Sequence, residues 1–175
     1  MLLFLMNPQT HLESKKSEIV LQWRSQVFSL YGEESKKILK RNKAEYLNPM
    51  GARFSTSFEE LFECVLTRAG KDQLDPILEQ VIRFTAVQEG TPSSSLNFLF
   101  VLKKIVNKEL ESAGITEIDS SLNTYFDRLI KFGIDHLVAS REFIAKLKVE
   151  EMERKTYSLI KLLNSQKPPI LEGEA

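Results

Sequence analysis

Apolar residues recur at steps of three and four along most of this chain, the period of α-helices that bury one face. From Glu13 to Tyr31 the stripe is Ile19, Val20, Trp23, Val27, Phe28 and Tyr31, and Gly32 is a natural stop. Asn48-Pro49-Met50-Gly51 reads as a turn opening a second helix. Asparagine caps free amides there, and proline suits the first helical position because its missing N–H costs nothing. Phe54, Phe58, Leu61, Phe62, Val65 and Leu66 carry that helix to about Arg68. After a break over Ala69-Gly70-Lys71-Asp72, Asp75-Pro76 repeats the capping logic ahead of Ile77, Leu78, Val81, Ile82 and Thr85.

Residues 77–110 form the centre of the pattern. Glu89-Gly90 closes one helix, and Thr91-Pro92 opens another whose Leu96, Phe98, Leu99, Phe100, Val101 and Leu102 point in too many directions for one stripe. A helix without a polar face is expected inside the domain. Gly114 interrupts, Asp119, Ser120 and Ser121 offer caps, and a long final helix follows through Leu122, Tyr125, Phe126, Leu129, Ile130, Leu137, Ile144 and Leu147. Gly133 is expected to bend it. Its stretch REFIAKLKVEEMERKTY has the weave of a helix running past its own domain. That suits packing on a second copy or partner, or equally a solvent-facing helix laced by i,i+4 charge pairs. No alternation of period two predicts a strand.

The expected fold is therefore all-α: a single helical domain, a globin-like bundle of about six helices with a buried central helix and a long C-terminal one. Residues 1–12 read as an N-terminal extension, 13–164 as the helical domain, and 165–175, with two prolines and little periodicity, as a flexible tail.

Composition narrows the partners. Twenty-four basic residues balance twenty-four acidic ones, which argues against nucleic acid as a ligand. The most basic stretch, 33–47, reads as a solvated helix or loop, or as a contact for phosphate or an acidic surface. One cysteine, Cys64, makes no internal disulfide and points to a reducing cytoplasm. The opening MLLFLM is too short for a signal-peptide core, and no window reaches the roughly 18 apolar residues of a membrane span.

Catalytic patterns are missing. The seven glycines are scattered singly, no zinc spacing occurs, and His11 and His136 have no ligand partner nearby in sequence. No catalytic residue, metal or cofactor is expected, and an enzyme is not favoured. Trp23, Phe54, Phe58 and Phe62 read first as core. A ligand pocket formed by these residues with His136, for a small molecule, a lipid or haem, is the alternative.

The string AVQEGTPSSSLNFLFVLKKIVNKEL resembles the central motif of the RsbRD N-terminal domain family, through Ala86, Val87, Gln88, Pro92, Ser93, Leu102 and Lys103. Trp23 is similar to the tryptophan of that family's first helix, and Asn48, Pro49 and Gly51 to its Asn-Pro-x-Gly element. Asp135, Arg141, Glu142, Glu151 and Arg154 are similar to the charged positions of its last helix. Thr85 and Leu137 depart from it, standing where the family has an arginine and an aromatic residue. The resemblance spans roughly residues 14–163 and implies a non-haem, globin-like sensory or interaction module, akin to the input domains of stressosome co-antagonists. In those proteins the module precedes a STAS domain. Here the chain ends about ten residues after its last helix, so direct binding is expected instead, as a homodimer or to another protein of a signalling pathway.

Overall fold

The computed structural model describes residues 7–30, 49–86, 91–115 and 120–165, and among them there are seven helices and no strand. The expected all-α fold is what the chain adopts. The basic stretch 33–47 and the opening MLLFLM fall outside the described residues, apart from their neighbours. The chain divides into two units, Met1–Ser140 and Arg141–Ala175.

Helical packing in the first unit starts before Glu13. Helix α1 (Pro8–Ser14) has Asn7 as its cap, whose Oδ1 accepts the Gln9 N–H at 2.9 Å, with Pro8 in the first turn. It buries His11 and Leu12. Lys15 separates it from α2 (Lys16–Ser29), which buries Ile19, Val20, Trp23, Val27 and Phe28 on one stripe. Helix α3 (Pro49–Thr67) buries Phe54, Phe58, Leu61, Phe62, Val65 and Leu66. Helix α4 (Lys71–Ala86) begins four residues before the expected Asp75-Pro76 cap. Pro76 lies inside it and removes the bond that its nitrogen would have given the Asp72 carbonyl.

Two helix ends share one geometry. At the end of α3, Arg68 turns left-handed (φ 54) and the Ala69 N–H reaches back to the Cys64 carbonyl at 2.9 Å. Helix α5 (Pro92–Ser95) is capped by Thr91 and leads at once into α6 (Asn97–Ser112). There Gly114 (φ 72) takes the left-handed place, with Ile115 N–H on the Leu110 carbonyl at 2.9 Å and Gly114 N–H on Glu111 at 3.0 Å. Both are Schellman stops, but only the second uses the glycine that such a turn favours.

Helix α6 packs against α1, α2 and α5, so it is central. It is not apolar in its surroundings all the way round: Phe98, Leu99, Leu102, Ile105, Val106 and Leu110 are buried, while Phe100 is 48% exposed. The last helix, α7 (Ser120–Ser165), buries Leu122, Tyr125, Phe126, Leu129, Gly133 and Leu137 in the first unit. Gly133 is a point of close packing. An added β-carbon there would meet Leu99 Cδ1 at 2.8 Å and Leu96 Cδ2 at 3.3 Å. From Arg141 the same helix supplies the described part of the second unit, and every residue from Ala145 to Ser165 is exposed.

Candidate functional site

The aromatic residues considered for a pocket pack on one another. Trp23 meets Phe58 at a tilt of 54° with centroids 4.3 Å apart, Phe54 meets Phe58 at 5.1 Å, and Phe84 closes on Phe54 at 4.3 Å. Trp23, Phe54, Phe58 and Phe62 are buried. The polar atom of this group is also satisfied, since the indole N–H of Trp23 donates to the Phe98 carbonyl at 2.7 Å. An indole without a partner there would cost about 1–3 kcal/mol.

His136 has a different set of neighbours. Its Nε2 lies 3.0 Å from Asp75 Oδ1, tying α7 to α4, and the Lys71 ammonium stands 4.0 Å from the other carboxylate oxygen. These side chains line a cleft of about 210 Å3 with Phe132, Asp135 and Ala139. A carboxylate that orients an imidazole is two parts of a nucleophilic triad. None of the six lining residues supplies a hydroxyl or thiol. His11 makes a similar contact, 3.0 Å from Glu109 Oε1, which joins α1 to α6. Among the described residues no group of three or more His, Cys, Asp or Glu could hold a metal ion.

A second cleft, of about 320 Å3, lies at the start of α7 and is lined by Arg68, Ser120, Ser121, Thr124, Tyr125 and Arg128. Both guanidinium groups approach the Tyr125 ring, at 5.9 Å for Arg68 and 5.0 Å for Arg128. The Tyr125 hydroxyl donates to the Ala69 carbonyl at 3.1 Å, fastening α7 to the turn after α3. Burial pushes the phenol up to about 12, with Cys64 adding to the shift and the two arginines opposing it. The Cys64 thiol is itself pushed up, first by burial and then by Glu60 and Glu63, which disfavours the reactive thiolate. Arg128 stands three residues from Tyr125, a spacing legible in the sequence. Arg68 comes from the turn after α3 and had no such signal.

The remaining singled-out positions scatter over the fold. Asn48, Val87 and Gln88 lie outside the described residues; Pro49 opens α3 and Gly51 sits in its first turn. Ala86 packs half-buried at the end of α4, Pro92 is exposed in the first turn of α5, and Ser93 Oγ lies 2.9 Å from Thr91 Oγ1. Lys103 pairs with Asp127 at 2.9 Å across α6 and α7, and Asp135 is exposed. In the second unit Arg141 is half-buried and Glu142 and Arg154 are exposed, while Glu151 pairs with Lys155 at 2.7 Å.

Among the described residues, that second unit carries the largest run of uncovered apolar side chains. Phe143 is 50% exposed, Met152 68%, Tyr157 70%, Leu159 61% and Leu163 63%. No helix among the described residues is long and apolar enough to cross a membrane. No protein-family model, no curated protein and no solved structure matches the chain.

Proposed function

We propose that this chain is a non-enzymatic regulatory or sensory domain that acts by binding protein, as a homodimer and with a partner in a signalling pathway. The observation that carries this is the exposed apolar surface of residues 141–165. A monomer rarely leaves a contiguous apolar patch above about 300–600 Å2 in water, and such surface marks a place that another molecule covers.

The resemblance of the AVQ, Asn-Pro-x-Gly and last-helix residues to the RsbRD N-terminal domain family supports the same role. It suggests a cytoplasmic input module of stress-response signalling. A signal enters as a ligand or partner contact and leaves as a shift in helix packing, which requires the contact to favour one packing over another.

Native mass spectrometry of the full chain at tens of micromolar, with an absorbance scan, tests this. A colourless dimer with no added mass is the expected result. A strict monomer removes the homodimer. A retained small molecule or a haem band transfers the role to ligand sensing.

A further inference from the structure

The exposed part of α7 carries a two-stranded seam. Ala145, Val149, Met152, Thr156, Leu159 and Leu163 follow one another at steps of four, three, four, three and four. This is the heptad spacing that keeps one helical edge facing a partner helix over several turns. All six are exposed, with Val149 at 57%, Met152 at 68%, Leu159 at 61% and Leu163 at 63%. With Ile160 and Leu162 beside them, on the order of 700 Å2 of apolar-residue surface stands in water, close to the roughly 800 Å2 that each partner gives a stable interface.

Charge favours one orientation. Arg141, Lys148 and Lys155 recur every seven residues along one border of the seam, while Lys146, Glu153 and Ile160 stand on the other. An antiparallel pair sets like borders together and would line basic row against basic row. A parallel pair sets opposite borders together: Lys148 of each chain meets Glu153 of the other copy, Lys155 meets Ile160, and the like-charged Arg141 and Lys146 meet only at the edge of the segment. The β-branched Val149 and Thr156 fall on the seam position where parallel two-stranded coils favour such side chains. We infer that residues 145–163 pair with the same residues of a second copy as a parallel, in-register coiled coil. This rests on the homodimer proposed above and specifies its contact. Ala145 and Thr156 are small or polar, so the pair is weak and exchanges readily.

Disulfide trapping on the full chain tests it, in a Cys64→Ala background so that each added thiol is alone. Ala145→Cys and Leu159→Cys are placed separately, in a glutathione redox buffer, with mass followed by light scattering. Parallel register predicts that each variant forms a disulfide dimer with itself. A dimer that traps at neither position, or only when Ala145→Cys is mixed with Leu163→Cys, overturns the parallel pairing while the homodimer stands. A monomer throughout, or a monomer that instead floats with anionic lipid vesicles, overturns both. Leu159→Lys is the control. It halves the mass while thermal unfolding of the buried core, followed by Trp23 fluorescence, is unchanged; a dimer that survives it overturns the seam.

Discussion

The indole nitrogen of Trp23 sits 2.7 Å from the main-chain oxygen of Phe98, so the only tryptophan is bonded to the central helix as well as packed on Phe58. Trp23→Phe keeps most of the apolar contact and deletes the donor. The substitution is expected to cost about 1–3 kcal/mol, from the lost buried hydrogen bond together with lost packing. Urea denaturation measures it. In the parent protein, acrylamide quenches Trp23 emission weakly until the core unfolds.

Gly133 and Leu99 set a second limit. Alanine in a helix interior gains about 1 kcal/mol over glycine, but its methyl would stand 2.8 Å from Leu99 Cδ1 among other buried atoms. Overpacking of this kind costs about 1–3 kcal/mol, so Gly133→Ala is expected to destabilise slightly and Gly133→Val clearly. A double-mutant cycle with Leu99→Ala should show coupling, because the shorter side chain opens room for the added methyl.

Arg68 occupies a left-handed position that costs a residue bearing a β-carbon roughly 1–2 kcal/mol. Arg68→Gly removes that strain together with the guanidinium contacts to Tyr125 and the Val65 carbonyl. Arg68→Ala removes the same contacts and keeps the strain. The glycine variant is therefore expected to be the more stable of the two by about 1 kcal/mol, read from paired denaturation curves.

Alkaline titration isolates Tyr125. An ordinary phenol loses its proton near about 10, and burial holds this one to about 12. Between those values the unfolded chain binds fewer protons than the folded one, so stability falls as pH rises. Tyr125→Phe should be less stable at neutral pH, having lost the bond to Ala69, and the gap should narrow above pH 10. A constant gap across that window would mean that the phenol titrates normally.

Much of this architecture was readable from spacing. The stripes of α2, α3 and α4 were placed by their apolar steps, and Gly114 marked a stop because a left-handed turn favours glycine. Pro76 misled: aspartate before proline is a good cap signal, yet Leu74 is buried and extends the helix back toward Lys71. Spacing gave no sign that Leu99 and Leu96 close on Gly133, because they come from a distant part of the chain. The same reason hid the partners of both histidines, because Glu109 is 98 residues from His11 and Asp75 is 61 from His136. Contacts of that kind depend on packing, which local periodicity does not encode.

Denaturants act in proportion to the surface that unfolding newly uncovers. Residues 145–165 of α7 already stand open to solvent, so melting them uncovers very little. A urea curve of the dilute protein should therefore have the slope of a shorter chain than 175 residues. If association covers the segment, the slope itself should steepen as the protein is concentrated, which makes cooperativity a direct readout of how many copies are in contact.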